Sequence, residues 1–160
     1  MKLFDDNVLQ SIRDSLLKKN ESIAVAESVT CGLLQFAMSN TMETVKFFEG
    51  GMTVYNADQK FTQLNVEPTH ALAVNCVSEQ VAMELAQNVR LKFDSDYGIG
   101  ITGYASAVPE SGNKLFAYFA ITHETRVLYA GRLDTEPQEG IGVPLFYVTE
   151  VLKKLAEVLK

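Results

Sequence analysis

One segment restricts the possible folds of this chain more than any other. Ser22-Ile23-Ala24-Val25-Ala26 is a short β-prone run, and it ends in the polar turn Glu27-Ser28-Val29-Thr30-Cys31-Gly32. From Thr30 to Met38 the apolar residues Leu33, Leu34, Phe36, Ala37 and Met38 resume helical character. A strand that passes through a polar turn into a helix belongs to an α/β architecture, where helices cover the faces of a sheet.

The remaining pattern extends that unit. Phe4, Val8, Ile12, Leu16 and Leu17 predict a first helix, with Asp5 and Asp6 suited to its start. Residues 47–55 predict a second strand, interrupted by Gly50-Gly51, and 57–64 a short helix that carries Lys60. Ser78 caps a predicted amphipathic helix through Phe93, and residues 97–101 form a strand that runs into Thr102-Gly103. Residues 115–121 and 126–129 predict a hairpin around His123-Glu124-Thr125, and a last helix follows Pro144. Helices and strands alternate early and a hairpin comes late. The expected fold is therefore a single three-layer α/β/α domain over 1–160 with a mixed, mostly parallel sheet.

Charge and cysteine content narrow the function. The formal net charge of −6 provides no electrostatic footprint for nucleic acid, because phosphate affinity comes from Lys and Arg. Cys31 and Cys76 have no CxxC spacing, and charged residues interrupt the apolar ones from Met1 to Asn20, unlike a signal peptide. No apolar run is long enough to span a bilayer. A cytoplasmic protein with no nucleic-acid or membrane partner is the expectation.

Polar residues collect at the carboxyl ends of three predicted strands: Glu27-Ser28-x-Thr30, Tyr55 with Lys60, and Thr102-Gly103. Open α/β sheets bind ligands outside those ends, so the three loops can line one pocket. Ser28 lies where strand passes to helix, and the N–H groups of the following turn are available to an oxyanion. His70 and His123 lie in no recognisable motif, so Lys60 is the better candidate base, with Tyr55 placed to align it or relay a proton. From these residues alone two readings stand: a Ser28–Lys60 site, or a turn in which Ser28 or Thr30 caps a helix while Lys60 is solvated.

The blocks AESVTCGLL, VYNADQK, VSEQVAMELAQNVR and YGIGITG together add a resemblance. Their order and intervals from Ile23 to Gly103 are similar to the C-terminal domain of the competence/damage-inducible protein CinA. That family's pattern is E-S-x-T-G-G, then Y-S-N-x-x-K, V-S and T-G-I-A-G-P, and its stand-alone members are nicotinamide-nucleotide amidases. The resemblance implies hydrolysis of the carboxamide of nicotinamide mononucleotide, or a related small amide, by acyl transfer without metal or organic cofactor. It makes Ser28 the nucleophile, Lys60 the base and Tyr55 the adjacent tyrosine. It assigns Glu27, Thr30, Cys31, Gly32, Thr102, Gly103 and Arg132 to the substrate-binding surface, and it implies a homo-oligomer.

The sequence departs from that pattern at four places. Cys31 stands where the family has glycine, so a positive φ there would strain the backbone and a side chain would narrow the pocket. The thiol itself reads as a small buried apolar group. Asn56-Ala57 replaces the Ser-Asn pair, and residues 104–112 replace a glycine-rich loop and bring in Glu110, which repels phosphate. Arg132 is an approximate match to an arginine segment, followed here by Asp134, Glu136 and Glu139. These departures leave open a second reading, a catalytically silent domain that binds a ligand or protein in the same cleft.

Overall fold

The computed structural model describes residues 2–160. The first helix, α1 (Asp6–Lys19), begins where the Asp5 carboxylate accepts the Asn7 N–H at 2.8 Å. It is followed by β1 (Ile23–Glu27), α2 (Leu33–Ser39), β2 (Phe48–Thr53), α3 (Ala57–Leu64) and α4 (Pro68–Ala73). Then come α5 (Glu79–Phe93), β3 (Tyr97–Gly103), the hairpin of β4 (Leu115–His123) and β5 (Arg126–Thr135), and α6 (Gly142–Val158).

The sheet order is β2-β1-β3-β4-β5. β2, β1 and β3 are parallel neighbours, and β4 runs against both β3 and β5, so β4 alone opposes the common direction. On one face Ile23, Val25, Ile99, Ile101 and Phe119 meet Leu16 of α1, Leu34 of α2 and Val148 of α6. On the other, Ala24 and Ala26 meet Leu64 of α3 and Leu85 and Val89 of α5. Every residue of β1 is buried, which explains the apolar run Ile23 to Ala26 and the absence of strand alternation. This is the three-layer α/β/α arrangement with a mixed, mostly parallel sheet that the element order implies.

Two glycines set the depth at which α5 rests on the sheet. A Cβ at Gly98 would lie 2.0 Å from the Ala86 carbonyl oxygen, and one at Gly100 would lie 2.4 Å from that of Ala82. The alternating glycines of YGIGITG therefore let helix backbone touch strand backbone.

Several boundaries differ from the sequence expectation, each for a local reason. The helix expected from Thr30 starts at Leu33, because Cys31 (φ +46°) and Gly32 (φ +95°) occupy left-handed backbone. Helix α4 was not foreseen: it has six residues, too few for a periodic signal. Its start is fixed by Pro68 in the first turn and by the Glu67 carboxylate, which accepts the Thr69 and His70 N–H groups. The hairpin strands extend to His123 and Thr135, and α6 begins at Gly142, with Pro144 in the first turn where no N–H partner is needed. No helix among the described residues is long and apolar enough to cross a membrane.

Candidate active site

The loops that leave β1 and β2 bring together two residues 32 positions apart. Ser28 follows the last residue of β1, and Asn56 caps α3 by accepting the Gln59 N–H at 2.9 Å. That cap aims Lys60 inward from the first turns of α3. Its Nζ lies 2.9 Å from Ser28 Oγ and 2.9 Å from the Val54 carbonyl oxygen, and only 2% of the residue is exposed. Lys60 is therefore not solvated. Both of its partners are neutral oxygens, and burial pushes the ammonium below its ordinary 10.5. In the neutral form the amine has a lone pair for the Ser28 proton while it still donates to Val54.

Ser28 and Lys60 lie in the wall of a cavity of about 480 Å³ at the carboxyl ends of the strands, with Tyr55, Thr102 and Gly103. Five residues named by the sequence reading thus come together. Tyr55 stands at the rim, 70% exposed, with no hydrogen bond to Ser28 or Lys60. The alignment expected of it is supplied by the Val54 carbonyl. Thr102 is buried, and its hydroxyl donates to the Cys76 carbonyl at 2.7 Å. This bond holds Asn75 (φ +51°) and Cys76 (φ +59°) in left-handed backbone along the opposite wall.

Five other expected site residues do not line the cavity: Glu27, Thr30, Cys31, Gly32 and Arg132. Glu27 is fully buried, and its carboxylate accepts from Thr30 Oγ1 (2.6 Å) and from the N–H groups of Gly32 (3.1 Å), Leu34 (2.9 Å) and Gln35 (2.7 Å). It neutralises the free N–H groups at the start of α2 from inside the protein. Those groups were expected to be available to an oxyanion, and they are not. Among the described residues, the Val29 and Thr30 N–H groups, which directly follow Ser28, carry no such bond. Thr30 and Gly32 thus shape the turn by bonding to Glu27.

Cys31 is exposed, contrary to the buried-thiol reading, and it does not narrow the cavity. Its backbone does have the predicted positive φ. On β5, the Arg132 guanidinium pairs with Asp134 through Nε (3.0 Å) and Nη2 (2.6 Å) and stacks 3.7 Å from the centre of the Phe116 ring. Sequence reasoning missed Asn75 and Cys76, which lie on the cavity wall just before the V-S block. Only that block hinted at their neighbourhood, since neither residue belongs to a spaced motif. Burial pushes the Cys76 thiol up from its ordinary value, so it is held as the neutral thiol.

The fold has close counterparts. A Natranaerobius thermophilus protein with a competence-damage inducible name is 34% identical over 137 residues, covering 81% of this chain and 33% of its own. A CinA-like protein of Prochlorococcus marinus is 36% identical over 110 residues, 69% of this chain and 25% of its own. The chain thus spans a third or less of the length of these curated relatives. The solved competence or damage-inducible protein of Enterobacter asburiae superposes with a TM-score of 0.91 at 24% identity, covering 97% of this chain and 98% of its own. The CinA superfamily protein of Escherichia coli gives 0.87 at 25% identity over 95% and 89%. The CinA C-terminal domain profile matches residues 5–129, more than half of the chain, and the chain belongs to that family.

Proposed function

We propose that this chain is an amidohydrolase that cleaves a small-molecule carboxamide through Ser28 and Lys60. The observation that carries the reading is the 2.9 Å contact between Lys60 Nζ and Ser28 Oγ, made by a buried lysine whose partners are both neutral. Neutral Lys60 takes the Ser28 proton as Oγ attacks the amide carbon. The Val29 N–H, which borders the cavity, receives the oxyanion. The carbon–nitrogen bond then breaks, Lys60 returns the proton to the departing NH2 group, and ammonia leaves an acyl ester on Ser28. Water attacks that ester, again with Lys60 as base, to release the acid and restore Ser28. Family membership makes nicotinamide mononucleotide the first compound to assay, with nicotinic acid mononucleotide as product.

Purified protein is expected to release ammonia from at least one member of a carboxamide panel. Ser28→Ala and Lys60→Ala are each expected to lower the rate by about a thousandfold or more, as when a member of a coupled nucleophile–base pair is lost. Turnover retained in both variants removes this mechanism. Saturable binding of the same amides without turnover by the wild type replaces it with the silent-domain reading.

A further inference from the structure

We infer that the Ser28–Lys60 site binds a carboxylic acid more tightly than the carboxamide of the same skeleton, so that the acid product restrains the reaction. Which acid this is rests on the amidase reading above. Among the described residues, no aspartate or glutamate stands on the cavity wall, and the two partners of Lys60 are a hydroxyl and a carbonyl. Tyr55, Cys76 and Tyr104 are the other ionisable residues there, two phenols and a thiol. Glu27 adjoins Ser28 in sequence, but its carboxylate is occupied by four donors at the start of α2. Glu84 of α5 accepts the Glu67 N–H at 2.6 Å, and Asp58 and Glu110 are exposed and lie off the wall. When Lys60 is charged, the anion that would balance it has to come from a ligand.

The donors fit a carboxylate better than an amide. An ammonium has three N–H groups. Ser28 Oγ and the Val54 carbonyl take two of them at 2.9 Å, and the third has no partner among the described residues. The Val29 N–H also borders the cavity without a bond. A carboxylate at the reacting position can set one oxygen toward the Val29 N–H and the other toward Lys60, a charge-assisted contact. A carboxamide with its oxygen toward Val29 turns an NH2 group to Lys60, and that group accepts nothing from the ammonium. Hydrolysis delivers the better ligand in place. The water oxygen bonds to the acyl carbon as Lys60 takes a water proton, the carbon–Oγ bond breaks, and Lys60 returns that proton to Oγ. The acid so formed passes its own proton to the neutral amine and stays as a carboxylate beside an ammonium. An adjacent anion favours the charged lysine that burial alone disfavours. In that state Lys60 has no lone pair for Ser28, so the acid both fills the site and disarms the base.

Ser28→Ala removes the nucleophile and keeps Lys60, so the affinities of an amide and its acid can be compared without turnover. Calorimetric Kd values are measured on this variant for nicotinamide mononucleotide against nicotinic acid mononucleotide, and for each other amide of the panel against its own acid. The acid is expected to bind about tenfold or more tighter in the pair whose amide the wild type hydrolyses. Equal affinity, or preference for the amide, in every pair overturns the inference, and ammonia release by the wild type then leaves the amidase reading intact. Acid preference without ammonia from any amide supports the carboxylate site and removes the amidase reading. Neither binding nor ammonia removes both. A second arm adds Lys60→Met to the Ser28→Ala protein, and the preference for the acid is expected to disappear. A preference that survives in the folded double variant overturns the inference, because another group would then hold the carboxylate. In the wild type, the added acid is expected to slow ammonia release competitively, and an unchanged rate at concentrations well above its Kd also overturns the inference.

Discussion

At the amino ends of β1 and β3, charged side chains have partners. His123 Nε2 lies 2.8 Å from Glu21 Oε1, and the Lys19 ammonium donates to the Leu159 carbonyl at 2.8 Å. Asp96 accepts the Ser22 N–H at 2.8 Å, which ties the entry of β1 to that of β3. At the carboxyl ends of β1 and β2, Lys60 is more deeply buried than any of these and has only a serine hydroxyl and one carbonyl. The same sheet therefore uses charge in two ways. Less buried charged groups at one end are hydrogen-bonded so as to tie neighbouring segments together, and at the other burial lowers the pKa of a lysine that contacts Ser28.

Lys60→Met breaks the comparison most directly. It keeps the length of the side chain and removes its amine. Turnover is expected to fall by about a thousandfold or more. Thermal stability is expected to rise by about 1 kcal/mol, because a buried charge without a counter-charge costs more than an apolar replacement. The sign follows from linkage. The folded-state pKa of Lys60 lies below 10.5, so the unfolded chain binds this proton more tightly. Wild-type stability therefore rises with pH through the window from that lowered value to 10.5, and the advantage of the methionine variant narrows over the same range. Denaturant midpoints at several pH values measure it. A constant advantage would mean that Lys60 is not charge-strained, and the two ends would then differ only in their partners.

Glu27 sharpens the comparison because it lies at the reactive end and behaves like the paired one. Its carboxylate is fully used by four donors. Glu27→Gln puts an NH2 group where one oxygen accepts, and is expected to cost about 2–3 kcal/mol. A denaturant midpoint that does not move would free this carboxylate for substrate, as the sequence reading had it.

That contrast also shows what is legible in a sequence. The strand–turn–helix unit, the amphipathic α5 and the stripe of α6 each declare themselves through period, so the layers follow. The meeting of Ser28 with Lys60 is readable because their blocks keep a fixed order and interval. The role of Glu27 is not, since a carboxylate beside a nucleophile has the same spacing whether it faces a ligand or turns back to cap a helix. Nor is the fate of Arg132 readable: Asp134 follows it by two residues, and only β-strand geometry puts both side chains on one face with Phe116 of β4. Sheet register across strands distant in sequence decides such contacts.

Cys31 adds a smaller effect within the same turn. A side chain at φ +46° is expected to cost about 1 kcal/mol relative to glycine. Cys31→Gly should raise the thermal midpoint accordingly and leave kcat/KM unchanged, because the residue is exposed and stands outside the cavity wall. A loss of turnover would mean that turn rigidity contributes to the placement of Ser28.

The smallest expected effect lies at the paired end. Glu21 and His123 side chains are 23% and 16% exposed, so their contact is neither fully screened nor fully desolvated. The His123 ring also stacks on Tyr97 with centres 4.3 Å apart, which keeps it in place when the carboxylate is changed. Glu21→Gln retains an oxygen for His123 and removes the charge, so the loss is expected to be about 0.5–1 kcal/mol. Turnover should not change, because the pair joins the entries of β1 and β3 while Ser28 and Lys60 lie at the other end of the sheet. A fall in kcat with Glu21→Gln would be the most informative failure. It would mean that pairing at one end of the strands sets the Ser28–Lys60 distance at the other, so that the two ends act as one device.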